Sequence, residues 1–229
     1  MNDLMKLTNV GKSFGNKVVF QNITMSINAI KPTVIMGVNG CGKSTLLKII
    51  AGVLSHSDGE IVRSPNIKIA YAPDRFPKLP FKVVDYITHM GNIQGMSNTD
   101  IKDYIDKQFE YFTIPKHIKD QLIGKCSKGT IQKVNIMQAL MSKSDLLVMD
   151  EPFSGLDEDS IEKMIDLLSK LIMDNTSVVI SCHEKVLAKK VTDNVLLFTN
   201  QSLIESHQTP PRNPFKFKIK KIDRSVKNV

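Results

Sequence analysis

Glycines, a lysine and a serine stand close together in the segment Gly37-Val-Asn-Gly-Cys-Gly-Lys-Ser44. An apolar run ends at its first glycine, and apolar residues at helical spacing follow as far as Ile50. Glycines between a strand and a helix let the backbone turn tightly, so that N–H groups and the positive end of the helix point at phosphate oxygens. Lys43 then reaches the outer phosphates, and the Ser44 hydroxyl is the expected Mg²⁺ ligand. The segment predicts a nucleotide-binding site and leaves the class of nucleotide enzyme open.

Two adjacent carboxylates, Asp150 and Glu151, directly follow a second apolar run. Acids at the carboxyl end of a strand lie where open α/β sheets bind their ligands. Asp150 is therefore predicted to hold Mg²⁺ through water, and Glu151 to act as a general base. A solvated surface pair is the alternative. Against it, Pro152 stops the strand, and Ser154-Gly-Leu-Asp157 predicts a tight turn before the next helix.

Strand-like and helix-like segments alternate along the chain, which favours an α/β fold with a parallel sheet. The predicted strands are 18–27, 33–36, 146–149, 178–180 and 195–198, and the predicted helices are 43–50, 85–89, 101–112, 127–141 and 161–173. Most of the chain between about residues 76 and 142 is predicted to be helical, as an insertion in the α/β core. We expect one domain over residues 1–208, followed by a basic extension over residues 209–229.

The formal net charge of +8 is concentrated in that extension. Residues 209–229 contain seven basic residues and one acid, a net +6, which leaves +2 for the other 208 residues. A nearly balanced body has no basic stripe for a nucleic-acid groove, so no nucleic-acid partner is expected. Alternating apolar and lysine side chains from 215 to 220 predict an edge strand with a lysine-rich solvent face. Attraction to an anionic membrane surface is the other interpretation of this tail.

The composition, 41% hydrophobic and 24% charged residues, is that of a globular protein and excludes a disordered or collagen-like chain. No apolar run approaches the roughly 18 residues of a membrane span, and the first ten residues lack the features of a signal peptide. Three widely separated cysteines without metal-ligand spacing fit a reducing compartment. These observations predict a cytoplasmic protein that folds without a disulfide or a structural metal.

Further motifs follow the phosphate loop in a fixed order: Cys126-Ser-Lys-Gly-Thr130, then Asp150-Glu-Pro with the turn at 154–157, then Ile180-Ser-Cys-His183. Together with Phe14 upstream, this succession resembles the ATP-binding cassette (ABC) ATPases over nearly the whole chain. The order of the motifs is highly specific, although the second motif alone would be weak. The resemblance implies a P-loop NTPase core with a mostly parallel sheet, an antiparallel N-terminal β region and an inserted helical subdomain.

The resemblance also implies roles for individual residues. Two chains would close head to tail around two ATP molecules with Mg²⁺, and the second chain could be identical or different. An incomplete phosphate cage on one chain would be completed by a helix N-terminus of the other. The resemblance implies three catalytic residues, Glu151, His183 and Lys43. The residues implied to bind ATP within the chain are Phe14, Gly37, Asn39, Gly40, Cys41, Gly42, Lys43, Ser44 and Thr45, and those implied to bind the ATP of the other chain are Ser127, Gly129 and Asp157. The implied metal ligands are Ser44, Asp150 and Asp74.

The chain departs from the family's pattern in three places. Cys126, Lys128 and Thr130 stand where leucine, glycine and glutamine are usual, and the lysine resembles a subgroup that often serves compact membrane exporters. Asp74 stands where many members have glutamine, and its side chain is charged and one methylene shorter. Phe14 replaces the commoner tyrosine and offers the same π face to adenine.

The function that follows from the resemblance is the ATPase subunit of a membrane transporter, expected to be an exporter. Its pore would be a separate integral membrane permease, which would hold the chain on the inner face of the cell membrane. A second interpretation is a soluble ATPase of the same family that drives an assembly process such as iron–sulfur cluster biogenesis. A third is a non-catalytic ATP sensor, against which the presence of Lys43, Asp150, Glu151 and His183 counts.

Overall fold

The computed structural model describes residues 3–29, 31–77, 79–199 and 201–205, and in these ranges the chain forms two β-sheets and six α-helices. The strands are β1 (Asp3–Phe14), β2 (Lys17–Asn28), β3 (Thr33–Met36), β4 (Asp58–Arg63), β5 (Ile69–Ala72), β6 (Leu146–Met149), β7 (Ser177–Cys182), β8 (Val195–Thr199) and β9 (Ser202–Glu205). The helices are α1 (Lys43–Ile50), α2 (Val83–Ile93), α3 (Asn98–Tyr111), α4 (Lys128–Leu140), α5 (Glu158–Met173) and α6 (Lys185–Val191).

The smaller sheet is antiparallel, in the order β2-β1-β4, and two of its strands were not predicted from the sequence. In β1 the backbone of Asn9 has a φ of 50°, and the register with β2 shifts between Leu7 and Val10. Such a bulge breaks the period-two alternation by which a strand is recognised in a sequence. At the same place β4 comes so close that a Cβ on Gly59 would lie 2.4 Å from the Asn9 carbonyl oxygen.

The larger sheet has the order β5-β6-β7-β3-β8-β9, and all its neighbouring strands are parallel except β8 and β9. Strands β3, β6 and β7 are buried along their whole length, as expected for a parallel sheet covered on both faces. Met36 pairs with Cys182, and Met149 pairs with Ile180. The central strands therefore end at one edge, from which the loops with the predicted site residues leave.

Two hydrophobic clusters cover the two faces of this sheet. Ile35 belongs to the cluster that includes α1 and the antiparallel sheet, whereas its neighbours Val34 and Met36 belong to the cluster formed with α3, α4 and α5. Alternate residues of a strand face opposite sides, so both clusters anchor β3. The loop after β3 is thereby held between two packed layers.

Between β5 and β6 the chain forms α2, α3 and α4 with two short 3-10 turns, Lys116–Asp120 and Ile123–Lys125. The Ser97 hydroxyl begins α3 by accepting a hydrogen bond from the backbone N–H of Asp100 at 3.1 Å.

The predicted α/β fold class, with an antiparallel N-terminal sheet and a mostly parallel second sheet, is confirmed. The domain boundary at residue 208 stays a prediction, because residues 209–229 and their predicted edge strand lie outside the described residues. Within the described ranges, each helix is too short or too polar to cross a membrane.

Candidate active site

A cleft of about 1010 Å³ opens at the edge where the central strands end. Helix α1 and strands β5, β6 and β7 bring residues from distant parts of the chain to it. The predicted site residues that line it are Phe14, Asn39, Gly40, Cys41, Gly42, Lys43, Ser44, Thr45, Asp74, Asp150, Glu151 and His183. Most of the nucleotide site predicted from the sequence is therefore one continuous surface.

The phosphate loop depends on glycine at two positions. A Cβ on Gly37 would lie 2.8 Å from the carbonyl oxygen of Phe198, a distance that real Cβ atoms essentially never show. Gly42 has a φ of 121°, a backbone conformation that residues with a Cβ rarely adopt, and it is the N-cap of α1. Since this N-cap has no side chain, the first N–H groups of α1 remain available to an anion.

Lys43 lies against its own loop. Its Nζ donates hydrogen bonds to the carbonyl oxygens of Gly37 at 2.8 Å and Val38 at 3.1 Å, and it lies 3.9 Å from Glu151 Oε1. Lys43 is buried, so this ammonium has few water contacts. Phosphate oxygens entering the cleft would be stronger acceptors for it than neutral carbonyls.

One buried serine holds both carboxylates. Ser181 in β7 donates a hydrogen bond from Oγ to Asp150 Oδ1 at 2.6 Å and accepts one from the backbone N–H of Glu151 at 2.8 Å. Asp150 is only 2% exposed, and the φ of Glu151 is 51°, an uncommon value for a residue with a side chain. The sequence motif contained Ser181 but gave no reason to select it; the contact requires β6 and β7 to be neighbours.

Glu151 and His183 form a pair across the ends of β6 and β7. His183 Nδ1 lies 2.8 Å from Glu151 Oε2. The other carboxylate oxygen, Oε1, is buried, and among the described residues it has no hydrogen-bond partner. A buried acceptor without a donor is costly unless a ligand or water supplies one. This oxygen lies 3.9 Å from Lys43 Nζ and is an acceptor that a ligand or water in the cleft could satisfy.

Tyr71 in β5 lies three residues before Asp74 and was not selected from the sequence. Its hydroxyl is buried and has no hydrogen-bond partner among the described residues. Burial, and to a lesser degree the negative charges of Asp150 and Asp74, raise the pKa of the Tyr71 phenol well above its ordinary value. Asp150 and Asp74 line the same cleft as Tyr71, and their role as ligands of one metal ion stays a prediction.

The oxygen donors in the cleft fit a magnesium ion. The hydroxyl of Ser44 and the carboxylates of Asp150 and Asp74 line the same cleft and are hard ligands. No cluster of three or more His, Cys, Asp or Glu side chains able to hold a metal occurs in the described ranges. Mg²⁺ keeps several waters and is usually bound by one or two carboxylates together with substrate phosphates, so these few donors suffice.

Phe14, the last residue of β1, lies at the cleft with its side chain exposed. The Nζ of Lys12 lies 4.8 Å from the centre of its ring. A cation over the ring adds to its stacking capacity from the other side. Phe14 therefore offers an exposed aromatic surface in the cleft, and its stacking on adenine stays a prediction.

Four predicted residues are not among those that line this cleft: Gly37, which is packed against Phe198 beneath the loop, and Ser127, Gly129 and Asp157. Ser127 is the N-cap of α4 and accepts a hydrogen bond from the backbone N–H of Thr130 at 3.2 Å. Asp157 is the N-cap of α5, and its hydrogen bonds with Ser160 lower its pKa. Both helix starts are exposed, as they must be if they serve a second chain.

Cys182 does not form a pair with the neighbouring histidine. Its thiol donates a hydrogen bond to the carbonyl oxygen of Glu184 at 3.4 Å, and burial raises its pKa to about 11. A protonated, buried thiol is not a nucleophile. This agrees with the expectation that adjacent strand residues face opposite sides.

The fold and the cleft define a P-loop nucleotide hydrolase. Two carboxylates follow β6, which is separated by β7 from β3, the strand that leads into the phosphate loop. A family model described as ABC transporter matches residues 20–154. The chain is 31% identical over 200 residues to the zinc import ATP-binding protein ZnuC of Rickettsia conorii, covering 84% of this chain and 82% of that protein. It is also 31% identical over 198 residues to the uncharacterized ABC transporter ATP-binding protein MJ1023 of Methanocaldococcus jannaschii, covering 86% and 74%. The chain belongs to the ABC transporter family.

Solved structures show the same fold at low identity. A dimeric post-hydrolysis state of the ATP-binding cassette MJ0796 with ADP and Pi superimposes with a TM-score of 0.79, at 22% identity, over 88% of this chain and 97% of that one. An inward-facing putative metal-chelate type ABC transporter gives 0.73 at 24% identity, over 89% and 83%. The predicted family and the prediction of an ATP hydrolase are confirmed. The expectation of an exporter finds no support, since several relatives are named as importers.

Proposed function

We propose that this chain hydrolyses ATP to power a membrane importer, as one half of a head-to-tail pair of ABC subunits bound to a permease. The proposal is carried by Glu151 Oε1, which is buried beside Lys43 and has no hydrogen-bond partner among the described residues, so it can accept a proton from a water bound there. The names of relatives in the zinc import group support import as the direction.

In this mechanism Lys43 and the N-terminus of α1 bind the phosphates of ATP, while Phe14 stacks on the adenine. Glu151 takes the proton of the attacking water at Oε1, and His183 keeps the carboxylate oriented through Oε2. Ser44, Asp150 and Asp74 would hold Mg²⁺, which when bound neutralises charge on the outer phosphates.

The second half of each site would come from another subunit. Ser127, Gly129 and Asp157 lie outside the cleft of their own chain, at two exposed helix starts. A helix N-terminus placed against the terminal phosphate adds N–H donors and positive potential that one chain lacks. We infer a pair of identical chains, since one chain carries both halves.

The permease would bind beside α2. Phe81 and Leu122 are exposed there, and the backbone N–H of Ile123 donates to the carbonyl oxygen of Phe81 at 3.0 Å, which keeps the two segments together. Phe81 lies seven residues after Asp74 along the chain, so a displacement of Asp74 at the proposed metal site would be transmitted through this short segment to the surface. Such a complex would place the protein on the inner face of the cell membrane.

The variant Glu151→Gln tests the chemistry. It removes the base but keeps the shape, so we expect ATP binding within about two-fold of wild type, a loss of turnover of at least about a hundred-fold, and ATP-dependent dimers in size-exclusion chromatography. Glu162→Gln, the same change at an exposed position of α5, is the control and should hydrolyse ATP normally. Wild-type turnover in Glu151→Gln would refute the assignment of the base.

The partner is tested by purifying the tagged chain from gently solubilised membranes of its native cell and identifying co-purifying chains by mass spectrometry. A multi-span membrane protein in near-equal amount supports the transporter, and uptake of its substrate that depends on this chain supports import. Recovery of soluble partners alone would favour an assembly ATPase instead. ATP-dependent export would refute the proposed direction.

A further inference from the structure

Lys128, the residue that departs most clearly from the family's second motif, contacts the turn that follows the catalytic carboxylates. Its Nζ donates a hydrogen bond to Ser154 Oγ at 2.6 Å. Its aliphatic stem lies along Gly155, where an added Cβ would be only 2.9 Å from Lys128 Cγ. The side chain therefore crosses from the first turn of α4 to the turn at residues 154–157.

The two backbones also meet directly beneath this side chain. A Cβ on Gly129 would lie 2.5 Å from the carbonyl oxygen of Gly155, so both positions need glycine for the segments to approach. One turn further along α4, Gln132 Nε2 donates to the carbonyl oxygen of Glu151 at 3.5 Å. The start of α4 is thus packed on the segment that leads from the catalytic carboxylate to Asp157.

We propose that Lys128 is a positioning residue that ties the start of α4 to the turn at 154–157, so that Ser127 and Asp157 are presented to a second subunit as one unit. Glycine, the family's usual residue at this position, has no side chain to form the bond or to cover Gly155. Because Gln132 of the same helix donates to the carbonyl oxygen of Glu151, a second subunit that closes on the starts of α4 and α5 would also act on the backbone of Glu151. The proposal rests on the head-to-tail pair proposed above.

The contact makes Lys128 and Ser154 a matched pair for a double-mutant cycle. Lys128→Met keeps the stem and removes the ammonium, and Ser154→Ala removes the acceptor. At saturating ATP we expect each change to lower kcat about five-fold, the effect of losing one solvent-exposed hydrogen bond that water partly replaces, with KM for ATP within two-fold of wild type. The double variant should lose no more than either single one, because both remove the same bond.

Lys125→Met is the matched control, since Lys125 is an exposed lysine one turn upstream that does not line the cleft. It should keep the wild-type kcat, and Lys128→Arg should recover most of it. If the two losses of kcat multiply in the double variant, the two side chains act independently, and the proposed contact between Lys128 and Ser154 is refuted. A raised KM in Lys128→Met with no effect of Ser154→Ala would also refute it, because the lysine would then act on phosphate.

A second measurement separates this inference from the proposed function. In the Glu151→Gln background, Lys128→Met should raise the dissociation constant of the ATP-bound dimer about five-fold, whereas Lys125→Met should leave it unchanged. If Glu151→Gln alone forms no dimer with ATP, the proposed pair is wrong, while the kinetic cycle still decides whether the bond exists. An unchanged dissociation constant in a background that does dimerise would overturn the positioning role.

Discussion

Replacing Ser181 by alanine removes a hydroxyl that contacts both Asp150 and Glu151, the two residues that follow β6. Ser181 is fully buried, donates to Asp150 Oδ1 at 2.6 Å and accepts from the N–H of Glu151 at 2.8 Å. Removing a hydrogen bond to a charged group costs about 1.5–3 kcal/mol, and a buried N–H left without an acceptor costs about 1–3 kcal/mol. Because water and backbone shifts recover part of this, we expect Ser181→Ala to lower the free energy of unfolding by about 3 kcal/mol.

The loss should be visible in both stability and catalysis. For a chain of this size 1 kcal/mol shifts Tm by about 2–4 °C, so calorimetry of the nucleotide-free protein should show a Tm lower by about 6–12 °C. The backbone of Glu151 loses the acceptor that fixes its uncommon φ of 51°. A base displaced in this way should lower kcat at least about ten-fold, measured at a temperature where the variant is folded.

The same strand provides the control. Ser177 is also buried, and its hydroxyl donates to the carbonyl oxygen of Asn28 at 2.7 Å, far from the cleft. Ser177→Ala should cost about 1 kcal/mol and leave kcat unchanged. If Ser181→Ala were no less stable than Ser177→Ala and hydrolysed ATP at the wild-type rate, Ser181 would not hold the two carboxylates.

Two further changes test buried groups. Tyr71→Phe removes a buried hydroxyl that has no partner in the described part of the chain, so the nucleotide-free protein should melt about 2–4 °C higher in calorimetry. A lower Tm would show that the hydroxyl is hydrogen-bonded. Burial raises the pKa of Cys182 from 9.0 to about 11, so the folded state holds this proton where the unfolded state has lost it. In urea titrations, the contribution of this thiol to the free energy of unfolding should be complete below pH 9 and should decline between pH 9 and 11. If the free energy of unfolding of Cys182→Ala fell equally over this pH range, the burial of the thiol would be contradicted.

The phosphate loop and the two carboxylates after β6 could be selected from the sequence because each follows an apolar strand that the sequence also reveals, whereas His183 was selected only through the family resemblance. Helix α1 and strands β3 and β6 have the bounds that the apolar spacing predicted. Strand β1 could not be found in this way, since the bulge at Asn9 interrupts its alternation. The role of Asp74 as a metal ligand and the sharing of Ser127, Gly129 and Asp157 with a second chain remain predictions.

From the amino-acid sequence, the order of the motifs indicated the family, and short-range spacing located the phosphate loop, its helix and the strands that lead to the cleft. The tertiary structure alone decided which side chains support them. Ser181 holds Asp150 and Glu151 only because β6 and β7 pair in parallel, and Lys128 reaches Ser154 only because two glycines let α4 approach the following turn. Contacts of this kind join residues about 26 to 31 positions apart, and their geometry is set by the packing of whole elements, which local spacing does not encode.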